Sequence, residues 1–274
     1  MKTAISFLAV ILIVLGAATY VDSKSDKGHR LLIYIDRSSS IPEELFRQAL
    51  QAVADALWCN IVELGITEIS VRCFDDNVSL VMLQEKTFIL PDFPKDSILS
   101  QIKKQYGIVG YAAKTEYDAA IINHGQHLKS IVSDAALYIR KIQARYAVMT
   151  DIAGLLEHFG ELDAADLVIA VTDLKDENPD GKLREMAVQC SAQTRVVILY
   201  VPSKSDLHDP RGVRAIMKER KGAAEKAYPR CLVVPLRCVS KSWKELFRLG
   251  TGVDIELQKD AQEVSIEAGQ TILR

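Results

Sequence analysis

The chain has 274 residues, 49% of them hydrophobic, enough to bury a substantial core in one large domain or two small ones. Its 34 Lys and Arg residues nearly balance 36 Asp and Glu residues, so no net field points to nucleic acid, and no long basic run offers a phosphate-binding stripe. The 5 cysteines are odd in number and show no C-x-x-C spacing, which removes zinc-ribbon and thioredoxin-type chemistry.

Residues 1–21 hold an uncharged apolar run, Ala4 to Ala18, behind Lys2. The run is shorter than the ~20 residues of an ordinary membrane span, although Thr19, Tyr20 and Val21 extend it, and Gly16, Ala17 and Ala18 offer small residues for cleavage. It reads as a cleaved secretory signal or an uncleaved N-terminal membrane anchor, and either places the body of the protein outside the cytoplasm. In such an oxidising setting one or two disulfides are chemically open, but Cys59, Cys73 and Cys231 sit among apolar residues and are expected to be small buried thiols.

Residues 22–30 form a polar link to a single domain spanning residues 31–250. Leu31 to Ile35 is a strand of buried type. Pro42 then opens a helix in which Leu45, Phe46, Ala49, Leu50, Val53, Ala54 and Leu57 recur at helical spacing, and Gly65 closes it. "ITEISVRCF" is a second strand; "VSLVML" with "TFIL" is a third, turned back by Asp75-Asp76-Asn77. Too few residues separate these two for a crossover helix, so they form a hairpin with one antiparallel edge. From about 95 to 147 the pattern is a helical extension with one stripe through Ile121, Leu128, Ile131, Ala135, Tyr138 and Ile142. Next come a helix "IAGLLEHFGEL", a strand "DLVIAVTD", a polar loop "DENPDGK" with a helix to Cys190, and a strand "TRVVILYV". A helix from Arg214 to Ala227, a strand "CLVVPL" and a closing helix "SWKELFRL" complete the domain, and residues 251–274 are a tail. Alternating strands and helices of this kind specify an α/β fold with a doubly wound, mostly parallel sheet and helices on both faces.

Three polar clusters fall where strands end, which in such a sheet is the ligand-binding edge. Asp36-x-Ser38-x-Ser40 follows the first strand, Thr150 precedes a helix, and Asp173 ends "VIAVTD". Together they offer two carboxylates and three hydroxyls, a set of oxygen donors suited to a hard divalent cation: Mg²⁺ first, with Ca²⁺ or Mn²⁺ also compatible. Too few of the ligands are anionic to saturate the ion, leaving a coordination position for water or a partner's carboxylate. The same serines and aspartate also suit helix and turn capping.

In "IDRSSS", "TDIAGLL" and "IAVTD" the chain resembles von Willebrand factor A-type domains, whose metal-ion-dependent adhesion site is built from a D-x-S-x-S loop, a threonine loop and an aspartate ending the fourth strand. The resemblance covers residues 31 to 250. It implies that Ser38 and Ser40 ligate the ion directly, that Thr150 does so when ligand is bound, and that Asp36 and Asp173 act directly or through water. It further implies a module that binds a protein partner through an acidic group, and the oxygen-only donor set with no general base near the serines points to a non-enzymatic one. Leu174 stands where family members commonly have glycine, and the stretch from Leu90 to Thr150 is longer than is usual.

Other motifs lack the residues their chemistry needs. "GIVGYAAKT" has Ala113 where a phosphate-binding loop needs glycine, and "DENPDG" leads to Ala187 where a calcium loop needs a bidentate glutamate. His124 and His127 lie three apart on a helix with no third ligand in view and read as surface residues. An alternative reading, a metal-dependent phosphatase or hydrolase using Asp36 as nucleophile, is weakened by Ser38, because such enzymes want a second acidic residue at that position. A structural or assembly protein with a degenerate site is the remaining alternative.

Overall fold

The computed structural model describes residues 28–74, 86–91, 111–144, 150–163, 166–175, 194–236, 243 and 246–247. Strand β1 (His29–Asp36) has no solvent face: Leu31 to Ile35 are each at most 2% exposed. That is the environment of a central parallel strand, and β1 indeed runs parallel to β2 (Ile66–Phe74) on one side and β4 (Leu167–Thr172) on the other. β5 (Arg195–Tyr200) and β6 (Cys231–Pro235) continue the parallel ladder, while β3 (Lys86–Ile89) pairs antiparallel with β2. The resulting order, β3-β2-β1-β4-β5-β6, is the expected mostly parallel sheet with one antiparallel edge.

Because side chains alternate along a strand, β1 feeds two cores at once. Leu31, Ile33 and Ile35 point to the layer formed by α1 (Glu43–Leu64) and α2 (Tyr111–Arg140), joined by Trp243, Leu246 and Phe247. Leu32 and Tyr34 point to the layer formed by α3 (Ile152–Gly160) and α5 (Val213–Ala227). There Tyr34 meets Phe159 edge to face, ring centroids 5.1 Å apart, an arrangement that adds about 1 kcal/mol to simple burial. Asn60, buried on α1, accepts a hydrogen bond from the Trp243 amide and so ties the C-terminal segment to the first helix.

Helix α1 stops where its sequence says it should. Gly65 adopts φ 63°, donates its amide to the Ile61 carbonyl, and turns the chain into β2. Three expectations are adjusted. The buried stripe of α2 runs through Val132, Ala135, Ala136 and Ile139, one residue around from several predicted positions, so that Leu128, Ile131, Tyr138 and Ile142 flank it and Ile121 lies outside the core. Cys73 and Cys231 are buried, but Cys59 is exposed beside Trp58 and Val62, because the core face of α1 is taken by Val53, Ala54, Leu57 and Ile61. A short helix, α4 (Lys204–Leu207), intervenes after β5. Of the third strand only the "TFIL" half is described; "VSLVML", the helix ending at Cys190, the N-terminal run and the tail lie outside the described residues.

A Cβ at position 65 would meet nothing within 4 Å, so its cost is purely that of the left-handed backbone. Gly65→Ala is therefore expected to lower unfolding free energy by about 1 kcal/mol in urea denaturation, with an unchanged m-value.

Candidate metal centre

The chain leaves β1 for β2 on one side and later returns to pair β4 on the other, so the β1/β4 junction is the switch in strand order, where the carboxyl-terminal edge opens for a ligand. Ile35 lies in register with Val171, which brings the next residue, Asp36, beside Thr172. Thr172 Oγ1 donates to Asp36 Oδ2 at 2.7 Å, and the Ser38 amide donates to Asp36 Oδ1 at 2.8 Å. The carboxylate of Asp36, fully buried, is thus fixed from two directions, one of them its own loop.

That loop holds Ser38 and Ser40 with their hydroxyl oxygens 2.7 Å apart. Ser38 is buried and Ser40 half-buried. Neither caps the following helix, since the residue at the start of α1 is Pro42 and no side chain caps it. Helix capping therefore does not account for the two hydroxyls. Of the intervening residues, Arg37 Nε donates to the Gln143 carbonyl at 2.9 Å, and the Ser39 backbone carbonyl accepts from Lys204 Nζ at 2.9 Å.

Asp173 is fully buried just past β4. Its Oδ1 accepts the Lys175 amide at 2.9 Å in a turn, whereas its Oδ2 is buried without a hydrogen-bond partner among the described residues. Burial, then the nearby negative charge of Asp36, pushes its pKa up to about 7, against smaller opposing contributions from the Lys175 amide, the Ser40 hydroxyl and Arg220. Leu174 follows with φ 54°, the left-handed conformation that glycine supplies more readily. The leucine is held there by two contacts: its amide donates to Thr172 Oγ1 at 3.1 Å, and its side chain is buried in the core beneath α3 and α5. The departure from glycine thus leaves the loop in a glycine-like conformation, at a steric cost of about 1 kcal/mol.

Thr150 is buried one residue before Asp151, the N-cap of α3. Asp151 Oδ1 accepts the Gly154 amide at 2.8 Å and closes the cap, and a Cβ on Gly154 would lie 2.3 Å from Asp151 Oδ2, so a side chain there would make the carboxylate shift. Among the described residues no hydrogen bond joins Thr150 to Ser38, Ser40 or Asp173. The structure therefore brings Asp36, Ser38, Ser40 and Asp173 into one cluster through Thr172 and the loop, with Thr150 placed by the entry to α3. Sequence reasoning passed over Thr172, whose hydroxyl at a strand end was a readable signal, and Gly154, whose spacing from Asp151 is that of a cap. It also passed over Arg220, which donates to the Asp173 carbonyl from α5 and has no local signature.

No cluster of three or more His, Cys, Asp or Glu suited to a metal occurs among the described residues. A cation at this edge would accordingly rely on two carboxylates, hydroxyls and water, the ligand chemistry of Mg²⁺, Ca²⁺ and Mn²⁺ rather than of zinc or copper. The unpartnered Asp173 Oδ2 fits that role.

No protein-family model matches the chain. Among curated proteins it is 25% identical over 181 residues to a polyribonucleotide nucleotidyltransferase of Bacillus cytotoxicus, covering 62% of this chain and 24% of that protein. A second, from Gemmatimonas aurantiaca, is 29% identical over 121 residues, covering 40% and 16%. The chain thus spans a quarter or less of the curated relatives it matches, and their activity does not carry over on that extent. Among solved structures, proximal thread matrix protein 1 of the mussel byssus is 14% identical with a TM-score of 0.37, covering 82% of this chain and 48% of that one. The manganese-loaded Plasmodium vivax TRAP protein is likewise 14% identical with a TM-score of 0.37, covering 81% and 71%. Superpositions this loose add nothing to what the sheet itself shows.

Two measurements test the geometry. Folded Asp173 keeps its proton up to about 7, while the unfolded chain releases it near the ordinary carboxylate value of about 3.9. Between these values the folded state binds the extra proton, so in EDTA stability is expected to fall as pH rises from about 4 to about 7 and then level, and Asp173→Asn to flatten that slope. At position 174, glycine is expected to be more stable than alanine by about 1 kcal/mol, the reverse of their order in a helix, because only alanine pays the left-handed strain.

Proposed function

We propose that the chain is a binding module outside the cytoplasm that holds a divalent cation at Asp36, Ser38, Ser40, Thr150 and Asp173 and uses it to capture an acidic group of a protein partner. Mg²⁺ is the first candidate, with Ca²⁺ and Mn²⁺ as other hard cations compatible with the oxygen donors. The observation that supports this most directly is the buried Asp173 Oδ2, without a hydrogen-bond donor among the described residues and next to a second buried carboxylate. Burying an unpaired anion is expensive unless a charge compensates it. A cation there would do so and would supply Lewis acidity toward an incoming carboxylate oxygen. The chain's own residues orient the donors: Thr172 fixes Asp36, the Lys175 amide fixes Asp173, and the half-buried Ser40 lies on the solvent side of the cluster.

A binding role is favoured over hydrolysis because the Ser38 hydroxyl pairs with Ser40 rather than with a base, and the position two beyond Asp36 carries no carboxylate. Isothermal titration with Mg²⁺ should show a binding heat for the wild type and none for Asp36→Ala; equal heats would overturn the metal reading. Turnover of a phosphoester panel that disappears in Asp36→Asn would replace the binding reading with an enzymatic one. Partner capture that persists undiminished in EDTA would leave the fold as a scaffold without a working metal site.

A further inference from the structure

One buried ion pair links the two halves of the site from behind. Arg220, on α5, is 17% exposed and Asp206 only 2%. Arg220 Nη1 and Nη2 grip the two oxygens of Asp206 at 2.9 and 2.6 Å, and the same Nη1 also donates to the Asp173 carbonyl. Asp206 is the third residue of α4 and closes its capping box: the Ser203 amide donates to Oδ2 at 2.9 Å, and Ser203 Oγ accepts the Asp206 amide at 3.2 Å. The Tyr200 hydroxyl donates to Oδ2 at 2.7 Å, so this buried carboxylate is fully engaged. The first residue of α4 in turn reaches the serine loop, the Lys204 amide donating to the Ser40 carbonyl at 2.8 Å and its Nζ to the Ser39 carbonyl at 2.9 Å. An unbroken path therefore runs from the backbone of Asp173 through Arg220, Asp206 and the α4 turn to the backbone of Ser40.

A clamp between α4 and α5 alone would need only the Arg220–Asp206 fork. The additional bond to the carbonyl of a site aspartate is not explained by helix packing. We infer that Arg220 is a positioning residue that, through Asp206 and α4, sets the separation between the Ser40 loop and Asp173 and thereby the affinity of the edge for a divalent cation. The cation half of this statement rests on the function proposed above. Arginine is needed because a planar fork can serve Asp206 with two nitrogens while one of them also reaches a carbonyl, a geometry the single ammonium of lysine does not reproduce.

The test uses the full chain with Mg²⁺ and Mn²⁺ as probes and three variants: Arg220→Gln, Arg220→Lys, and the neutral pair Arg220→Gln with Asp206→Asn. The last leaves no stranded buried carboxylate and keeps the test open if the single variant fails to fold. In EDTA, hydrogen exchange at the Lys175 and Lys204 amides should accelerate together in the glutamine variants while strand amides such as Val171 are unchanged. By titration calorimetry, cation affinity should fall about 10- to 100-fold in the same variants, as for other residues that orient metal ligands, with Arg220→Lys recovering only part of it. Exchange that changes at Lys175 but not at Lys204, or undiminished affinity beside a wild type that binds, overturns the inference. A wild type that binds neither cation overturns the proposed function instead, and the paired exchange of Lys175 and Lys204 then decides the coupling by itself.

Discussion

Everything at the functional edge follows from placing two carboxylates, Asp36 and Asp173, at the ends of adjacent parallel strands where neither sees water. Charges of like sign in a weakly polar crevice repel and resist ionisation, and the response of the surrounding structure is visible residue by residue. Asp36 is satisfied by the Thr172 hydroxyl and the Ser38 amide. Asp173 accepts the Lys175 amide on Oδ1, its Oδ2 has no hydrogen-bond partner among the described residues, and burial followed by the charge of Asp36 raises its pKa to about 7. The sheet thus creates an electrostatic need at its switch point, and the donors around it are of the kind that answer a hard cation.

The backbone around this pair is held in conformations that cost free energy, and neighbouring packing offsets that cost. Leu174 sits in the left-handed region with its side chain buried in the core shared by α3 and α5. The Gly154 amide donates to Asp151, which caps α3 and fixes the entry segment that carries Thr150. Arg220 and Asp206 bury opposite charges to join two loops that are remote in sequence. Backbone strain of the kind seen at Leu174 clusters at ligand sites in proteins generally, in keeping with the cation site proposed for this edge.

Much of this was legible before the fold was known, for identifiable reasons. Six consecutive buried positions in β1 and six in β4 read as parallel strands because only a strand covered on both faces is apolar throughout. Gly65 read as a helix stop because few other residues tolerate its backbone angle. The stripe of α2 centres on Val132, Ala135, Ala136 and Ile139, with Leu128, Ile131, Tyr138 and Ile142 at its flank, because helical periodicity gives the width of an apolar face but not which side of it meets α1. Cys59 was misread for the same reason: an apolar neighbourhood in sequence is not an apolar neighbourhood in space, and Trp58 and Val62 face outward with it.

The sequence by itself determined the order of the buried strands, the α/β class and the identity of the polar residues at the strand ends, because each of those is written in local pattern and residue chemistry. Only the tertiary structure decided that Asp36 and Asp173 share one buried crevice, that Thr172 braces the first, and that Arg220 reaches the second. Those relations depend on strand order and on contacts across 47 to 136 positions of chain, as between Arg220 and Asp173 or Thr172 and Asp36, and local spacing carries no information about them. The structure also removed helix capping as the explanation for the serines of "IDRSSS", since α1 begins without them and their hydroxyls meet each other.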